Sequence, residues 1–516
     1  MAEVYRVRKL SRDSSERACD TDPMNIWARK PVEALRADAD LPGGPAGDGH
    51  PSLPRSLGIF GLTCFGVGST VGAGIFIYTG TVAAEHAGPA VALSFALASF
   101  VCLLAGLCYA ELASMIPVAG SAYSYAYATM GEGIAWIVGW CLMLEYLFSA
   151  SLIAISWSGY AQATLHQFGF DLPKLLSVSP FDVKDSYHVI RTGTLIDLPA
   201  VLITLLCMLI MLAGIQTSAL VNNVIVVAKI LAIVIVAAAG IFYVHAANWT
   251  PFIPPNLGHF GAFGWSGVVQ GAAIVFFAYI GFDAVSTLGQ EAKHPQRTIP
   301  VSLIASLAIC AVLYLAVSLV ITGLADYHVL NVPDPIYVAL DRAGPGLAWV
   351  RWLVAVVAVV GLVSVLLVTL LGQVRIFFAM GRDGLLPAAF ARVHRKSRTP
   401  HIGTWVSGIV AALAAGLAPL ALLGELISIG TLLAFAIVCG GVWVLRLTRP
   451  DLPRPFRVPL SPWVPLLGML SCLALMGSLP IGTWWRLLVW LVLGVALYGF
   501  YGASHSKLNA RPQSRS

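Results

Sequence analysis

The sequence predicts an all-α membrane protein of about twelve transmembrane helices, on three observations. Of its 516 residues 58% are hydrophobic and only 11% are charged, against about 25% charged in an ordinary soluble domain. From about residue 57 onward, apolar runs long enough to cross a bilayer follow one another almost to the end of the chain. The first and sixth of these runs carry glycine and polar residues at mid-span, where a helix breaks.

Taken in order, residues 1–55 form a polar tail rich in Arg, Asp, Pro and Gly, with Leu41–Gly47 as a flexible linker. Within it Met24–Leu35 is either a short amphipathic surface helix or part of a largely disordered cytoplasmic tail. The first apolar run starts too late and is too long for a signal-peptide core. The spans fall near 57–84, 88–113, 123–165, 195–214, 218–244, 266–290, 300–323, 347–379, 403–423, 427–447, 463–481 and 484–503. The third and eighth exceed what a bilayer needs, so they tilt or extend beyond it. With the N-terminus inside, 24 of the 31 Lys and Arg fall on inner segments and six on outer ones (Lys174, Lys184, Arg191, Arg342, Arg351 and Arg486), with Lys229 in the membrane. That asymmetry predicts both termini inside and an even number of crossings.

The first span holds Gly66, Gly68, Gly72 and Gly74 around Ser69 and Thr70. Each glycine costs a helix roughly 1 kcal/mol relative to alanine, and backbone freed at that depth must face protein or a cavity. Packing through Gly68-x-x-x-Gly72 is the competing explanation for the first span alone. The sixth span repeats the anomaly with Gly281 and Asp283. Paired interruptions five spans apart suggest a 5+5 inverted repeat with its site at the midplane. The units are then 56–244, 245–447, two extra helices in 448–505, and a cytoplasmic C-terminal tail 506–516.

Half-helix N-termini attract a carboxylate, and freed carbonyls suit an ammonium, so the two breaks together form a clamp for a zwitterion. Lys229 lies about eleven residues into the fifth span, roughly 16 Å deep. Burial strips hydration from an ammonium, which makes Lys229 a candidate for reversible protonation or, alternatively, a fixed donor to the carbonyls of the broken helix. Glu145 is again mid-span; intramembrane acids mark functional sites, and this one faces either the side-chain end of a pocket or another helix. Glu111 suggests a structural or gating contact. Arg375, Arg382, Asp383, Gly384, Glu425 and the pair Glu291/Lys293 fit solvated, topology-fixing roles near span ends. No phosphate-binding loop and no histidine spacing for metal occurs, so no enzyme, cofactor or metal is expected, nor a nucleic-acid partner. Of nine cysteines, eight lie in apolar runs and Cys19 in the tail, a pattern of buried small hydrophobes rather than disulfides.

Gly68-Ser69-Thr70-Val71-Gly72-Ala73-Gly74-Ile75, Tyr109-Ala110-Glu111, Pro117-x-x-Gly120-Ser121-Ala122-Tyr123, Leu144-Glu145-Tyr146, Gly281-Phe282-Asp283, Gln290–Arg297 and Arg382–Pro387 resemble the amino acid–polyamine–organocation superfamily. The branch they resemble most is the cationic amino acid transporters, in their bacterial twelve-span form. The resemblance implies the 5+5 fold with discontinuous helices 1 and 6. It implies a substrate carboxylate at Ala73 and Gly74, an ammonium at carbonyls of Thr70, Val71, Phe277, Ala278 and Ile280, and a side-chain pocket at Glu145 and Leu362. It also implies Lys229 as the proton-coupling residue, and Phe277 or Phe282 is a candidate gate. Leu362 departs from the methionine expected there, and bacterial relatives also accept neutral substrates. The expected activity is proton-coupled L-amino acid transport across the cell (inner) membrane by alternating access. An exchanger or polyamine carrier, and a non-transporting amino acid sensor, are the alternatives. The lipid bilayer is the expected environment, and the sequence assigns no oligomeric state.

Overall fold

The computed structural model describes residues 26–32, 35, 57–118, 120–185, 188–214, 219–288, 292–394 and 399–508. Among them eight helices are long and apolar enough to cross a membrane, and four shorter apolar helices complete the bundle.

The first span opens with α1 (Ile59–Thr70), breaks, and resumes through a π turn (Gly74–Tyr78), α2 (Thr79–Val82) and a second π turn (Ala83–Ala87). The second is α3 (Val91–Met115), followed by the short α4 (Ser121–Thr129). The third is α5 (Glu132–Gln167). A hairpin of β1 (Phe181–Asp185) and β2 (His188–Arg191) pairs Phe181 with Arg191 before α6 (Leu198–Leu212) and α7 (Ala219–Gly240). The sixth span is α8 (Gly264–Val275), a 3₁₀ turn (Phe276–Tyr279) and α9 (Ala284–Thr287). Then come α10 (Pro295–Leu324), the short α11 (Pro335–Arg342), α12 (Ala348–Arg382), α13 (His401–Leu417), α14 (Leu420–Thr448), α15 (Trp463–Ser478) and α16 (Ile481–Leu497).

Neighbour relations repeat with a period of five spans. The second span packs on the seventh, the third on the eighth and the fourth on the ninth. The first meets the seventh as the sixth meets the second, and the third meets the tenth as the eighth meets the fifth. Two five-span halves produce this pattern, and because five is odd the second half runs through the bilayer in the opposite sense. The sixth span is almost wholly buried, whereas the twelfth lies at the rim. The twelfth is fastened there by a stack of Trp136, Trp140 and Trp490, in which the Trp140 and Trp490 indoles each donate to the other's carbonyl.

Several expectations need correction. The run 123–165 is not one helix: it divides at Gly131, whose φ of +106° suits glycine and whose missing side chain leaves room for the Trp27 backbone. The β-hairpin and α11 are too short to register as apolar runs of membrane-spanning length. Within the tail, Val32 and Leu35 are buried, and Ile26 and Ala28 accept backbone hydrogen bonds from Gly133 and Glu132. Asp383 is not solvated: it is buried, paired with Lys30 Nζ at 3.1 Å and accepting from Tyr123 Oη at 2.9 Å. Glu111 makes a structural contact, in keeping with the expectation: it is held by Arg446, by Arg454 Nε at 3.4 Å and by the Val458 amide at 2.7 Å. Glu425 pairs with Arg486 at 3.0 Å. The linker Leu41–Gly47, Cys19 and Glu291 lie outside the described residues; the other eight cysteines are buried free thiols.

Candidate functional site

The two breaks touch. α1 stops at Thr70 because Val71 takes ψ of 87° and the next residue is glycine. The sixth span unwinds where Ile280 is extended (ψ 141°) and Gly281 takes φ of +109°. A side chain on Gly281 would sit 2.7 Å from Ser69 O, and one on Gly74 would sit 2.2 Å from Ala278 Cα. Ser69 Oγ donates to Gly281 O at 2.8 Å. Tyr314 of α10 bridges the gap, its hydroxyl oxygen 2.9 Å from both Thr70 O and Ala278 O. One hydroxyl carries one proton, so it satisfies only one of those carbonyls at a time.

Lys229 comes from α7 with its stem buried. Its ammonium donates to Gly68 O at 2.8 Å and Val71 O at 3.2 Å. Among the described residues no carboxylate lies within ion-pair range of it. Asp283 precedes the restart of the sixth span: its carboxylate accepts from Gly281 N at 3.2 Å, Tyr146 Oη at 3.2 Å and Ser121 Oγ at 3.4 Å. Ser286 Oγ in turn donates to Ser121 Oγ at 3.2 Å.

Between the breaks lies a small cavity of about 30 Å³. Thr70, Ala73, Gly74, Ile280 and Gly281, at the two broken ends, line it; the Thr70 and Gly281 carbonyls and the Gly281 N–H are already hydrogen-bonded. Its remaining wall is Tyr146, Ser149 and Ile153 of α5 and Val365, Val368 and Thr369 of α12, with Phe277 over it. Among the described residues no carboxylate, ammonium, guanidinium or imidazole lines it. Ser149 Oγ is buried there with no hydrogen-bond partner among the described residues.

The expected residues divide. Thr70, Ala73, Gly74, Phe277 and Ile280 come together at the cavity. Val71 and Ala278 stand directly behind it, their carbonyls already engaged by Lys229 and Tyr314. Glu145 does not line it: the side chain is buried one residue round the helix from Tyr146, and Oε2 accepts from Thr431 Oγ1 of α14 at 2.8 Å. Leu362 is buried one turn before Val365, off the wall. Phe282 points away, edge-on to Tyr109 and Phe435. The wall residues Tyr146, Ser149 and Ile153 are not singled out by the sequence reading, although their spacing of three and four marks one helical face.

Two broken helices facing each other across a small cavity in a multi-span bundle are the architecture of a membrane carrier. Residues 57–501 match the family model described as amino acid permease, and the chain belongs to that family. The methylthioribose transporter of Bacillus subtilis (strain 168) is 44% identical over 485 residues, 94% of this chain and 99% of the relative. The branched-chain amino acid permease BcaP of the same organism is 43% identical over 486 residues, with the same coverage. The vacuolar cationic amino acid transporter 4 of Arabidopsis thaliana is 39% identical over 416 residues, 80% of this chain and 66% of the relative. These relatives are transporters rather than enzymes.

Proposed function

We propose that the chain carries neutral L-amino acids with apolar side chains across the cell (inner) membrane by proton-coupled alternating access, both termini cytoplasmic. The observation that carries this is the cavity itself: residues of both helix breaks line it, with an uncharged wall between α5 and α12. The substrate carboxylate meets the N–H groups of Ala73 and Gly74. Its ammonium meets whichever of the Thr70 and Ala278 carbonyls Tyr314 leaves free, together with Ile280 O. Phe277 closes over the side chain. A cationic side chain would enter this wall without a counter-charge, which is costly at low dielectric. Glu145, turned toward Thr431, ties the third span to the tenth. Lys229 couples the proton: charged, it holds the first span through charge-assisted hydrogen bonds to Gly68 and Val71, and neutral, it holds them more weakly.

Uptake of labelled leucine into proteoliposomes with an imposed pH gradient tests the coupling; Lys229→Ala transporting at wild-type rate with unchanged pH dependence refutes it. Competition by unlabelled amino acids tests the selectivity, with valine and isoleucine expected to compete and arginine and lysine not. Equal competition by arginine would mean that Glu145 reaches the pocket. A second reading, a neutral sugar thioether as cargo, is favoured by the same uncharged wall and by the 44% identical methylthioribose transporter; labelled methylthioribose taken up in preference to leucine would establish it.

A further inference from the structure

Lys229 is aimed by a helix other than its own. Gly361 lies in the interior of α12, where a glycine costs roughly 1 kcal/mol relative to alanine, so its presence there needs a packing reason. A side-chain carbon at 361 would stand 2.6 Å from Lys229 Cδ and 2.8 Å from Cγ. Real carbon atoms do not approach so closely, and the contact is with the middle of the stem, whose ends are both held. One end is the α7 backbone, and the other is the ammonium on Gly68 O and Val71 O. The stem therefore occupies a slot that exists because residue 361 has no side chain.

The surroundings leave it no other course. α1 presents carbonyls and closes tightly on α7, since a side chain at Gly68 would lie 2.4 Å from Val226 Cγ2. α10 contributes the buried Cys310. α12 presents the Gly361 backbone. Among the described residues no charged side chain steers the head, so sterics do.

We propose that Gly361 is the positioning residue for Lys229: its bare backbone forms the groove that directs the ammonium onto the Gly68 and Val71 carbonyls and thereby mechanically links the eighth span to the first. The functional consequence rests on the proton-coupling reading above; the steric one does not.

The test uses full-length Gly361→Ala, Lys229→Ala and the double variant in proteoliposomes, with and without an inward proton gradient. Gly361→Ala is expected to lose roughly tenfold or more of gradient-driven uptake, the scale of a methyl forced into a filled core. Gradient-independent counterflow should persist, and the double variant should respond as Lys229→Ala does. A wild-type pH profile in Gly361→Ala overturns the proposal. Melting temperatures separate this from a failure of the coupling reading. The added methyl should lower stability only while the stem is there, so Lys229→Ala should restore the melting temperature, or the yield, lost in Gly361→Ala. Restoration supports the groove even if wild-type uptake ignores the gradient; a double variant as unstable as Gly361→Ala refutes it.

Discussion

Gly281→Ala is the sharpest probe of the contact between the two breaks. Two separable penalties meet at this position. At φ of +109° an L side chain is strained, a cost of order 1–3 kcal/mol. The new methyl would also lie 2.7 Å from Ser69 O and 2.8 Å from Ser69 C. Those are backbone atoms that cannot swing aside, so the breaks must separate, at about 1–3 kcal/mol for overpacking plus about 1 kcal/mol for the strained Ser69–Gly281 hydrogen bond. The total expected is about 3–7 kcal/mol. Gly193 isolates the first penalty: its φ is +84°, and a methyl placed there would have nothing within 4 Å. Gly477 has open space and no positive φ, which makes it the blank. Melting in detergent should rank Gly477→Ala as neutral to slightly stabilising, Gly193→Ala as mildly destabilising and Gly281→Ala as severe, with leucine uptake lost only in the last. A Gly281→Ala protein as stable and active as Gly193→Ala would refute the proposition that the two unwound stretches are in contact.

Ser149→Ala should raise KM for leucine severalfold with little change in stability, because the hydroxyl has no partner to lose among the described residues; saturation kinetics beside a melting curve decide this. Glu111→Gln should destabilise by about 3–5 kcal/mol, because Arg446 and Arg454 would be left without their buried anion, and would be read as a lowered melting temperature. Asp334, at the start of α11 and outside the spans, is pushed up to about 6 by burial. A carboxyl whose folded-state value is raised contributes stability below the unfolded value near 4, and that stability is lost as pH rises through about 6. At most about 3 kcal/mol is involved. Melting temperature against pH should therefore slope downward over that window, and Asp334→Asn should flatten part of the slope.

The breaks are legible because glycine and hydroxyl residues at mid-span contradict the apolar run around them, and backbone chemistry needs no side-chain orientation to be recognised. The walls are not legible for the opposite reason. α5 and α12 are apolar or small nearly all round, and successive residues on a helix differ by about 100°. Nothing in Leu144-Glu145-Tyr146 says which side chain faces the cavity; the charge on Glu145 draws attention, yet the phenol beside it forms the wall. Lys229 is legible as a buried cation and Gly361 is not, because a single glycine in a span has many ordinary explanations. Asp383 looks solvated from its basic loop, since its partner Lys30 is far away in sequence.

The short helix α4 acts as a rivet. At its start Ser121, held at φ of +46°, reaches Asp283 and Ser286 of the sixth span. Two residues on, Tyr123 grips the carboxylate that terminates the eighth. A tilt of either span therefore loads the other through less than one helical turn, so this end of the bundle yields as a unit or stays shut. A covalent bridge between positions 121 and 286 would freeze both spans with one bond.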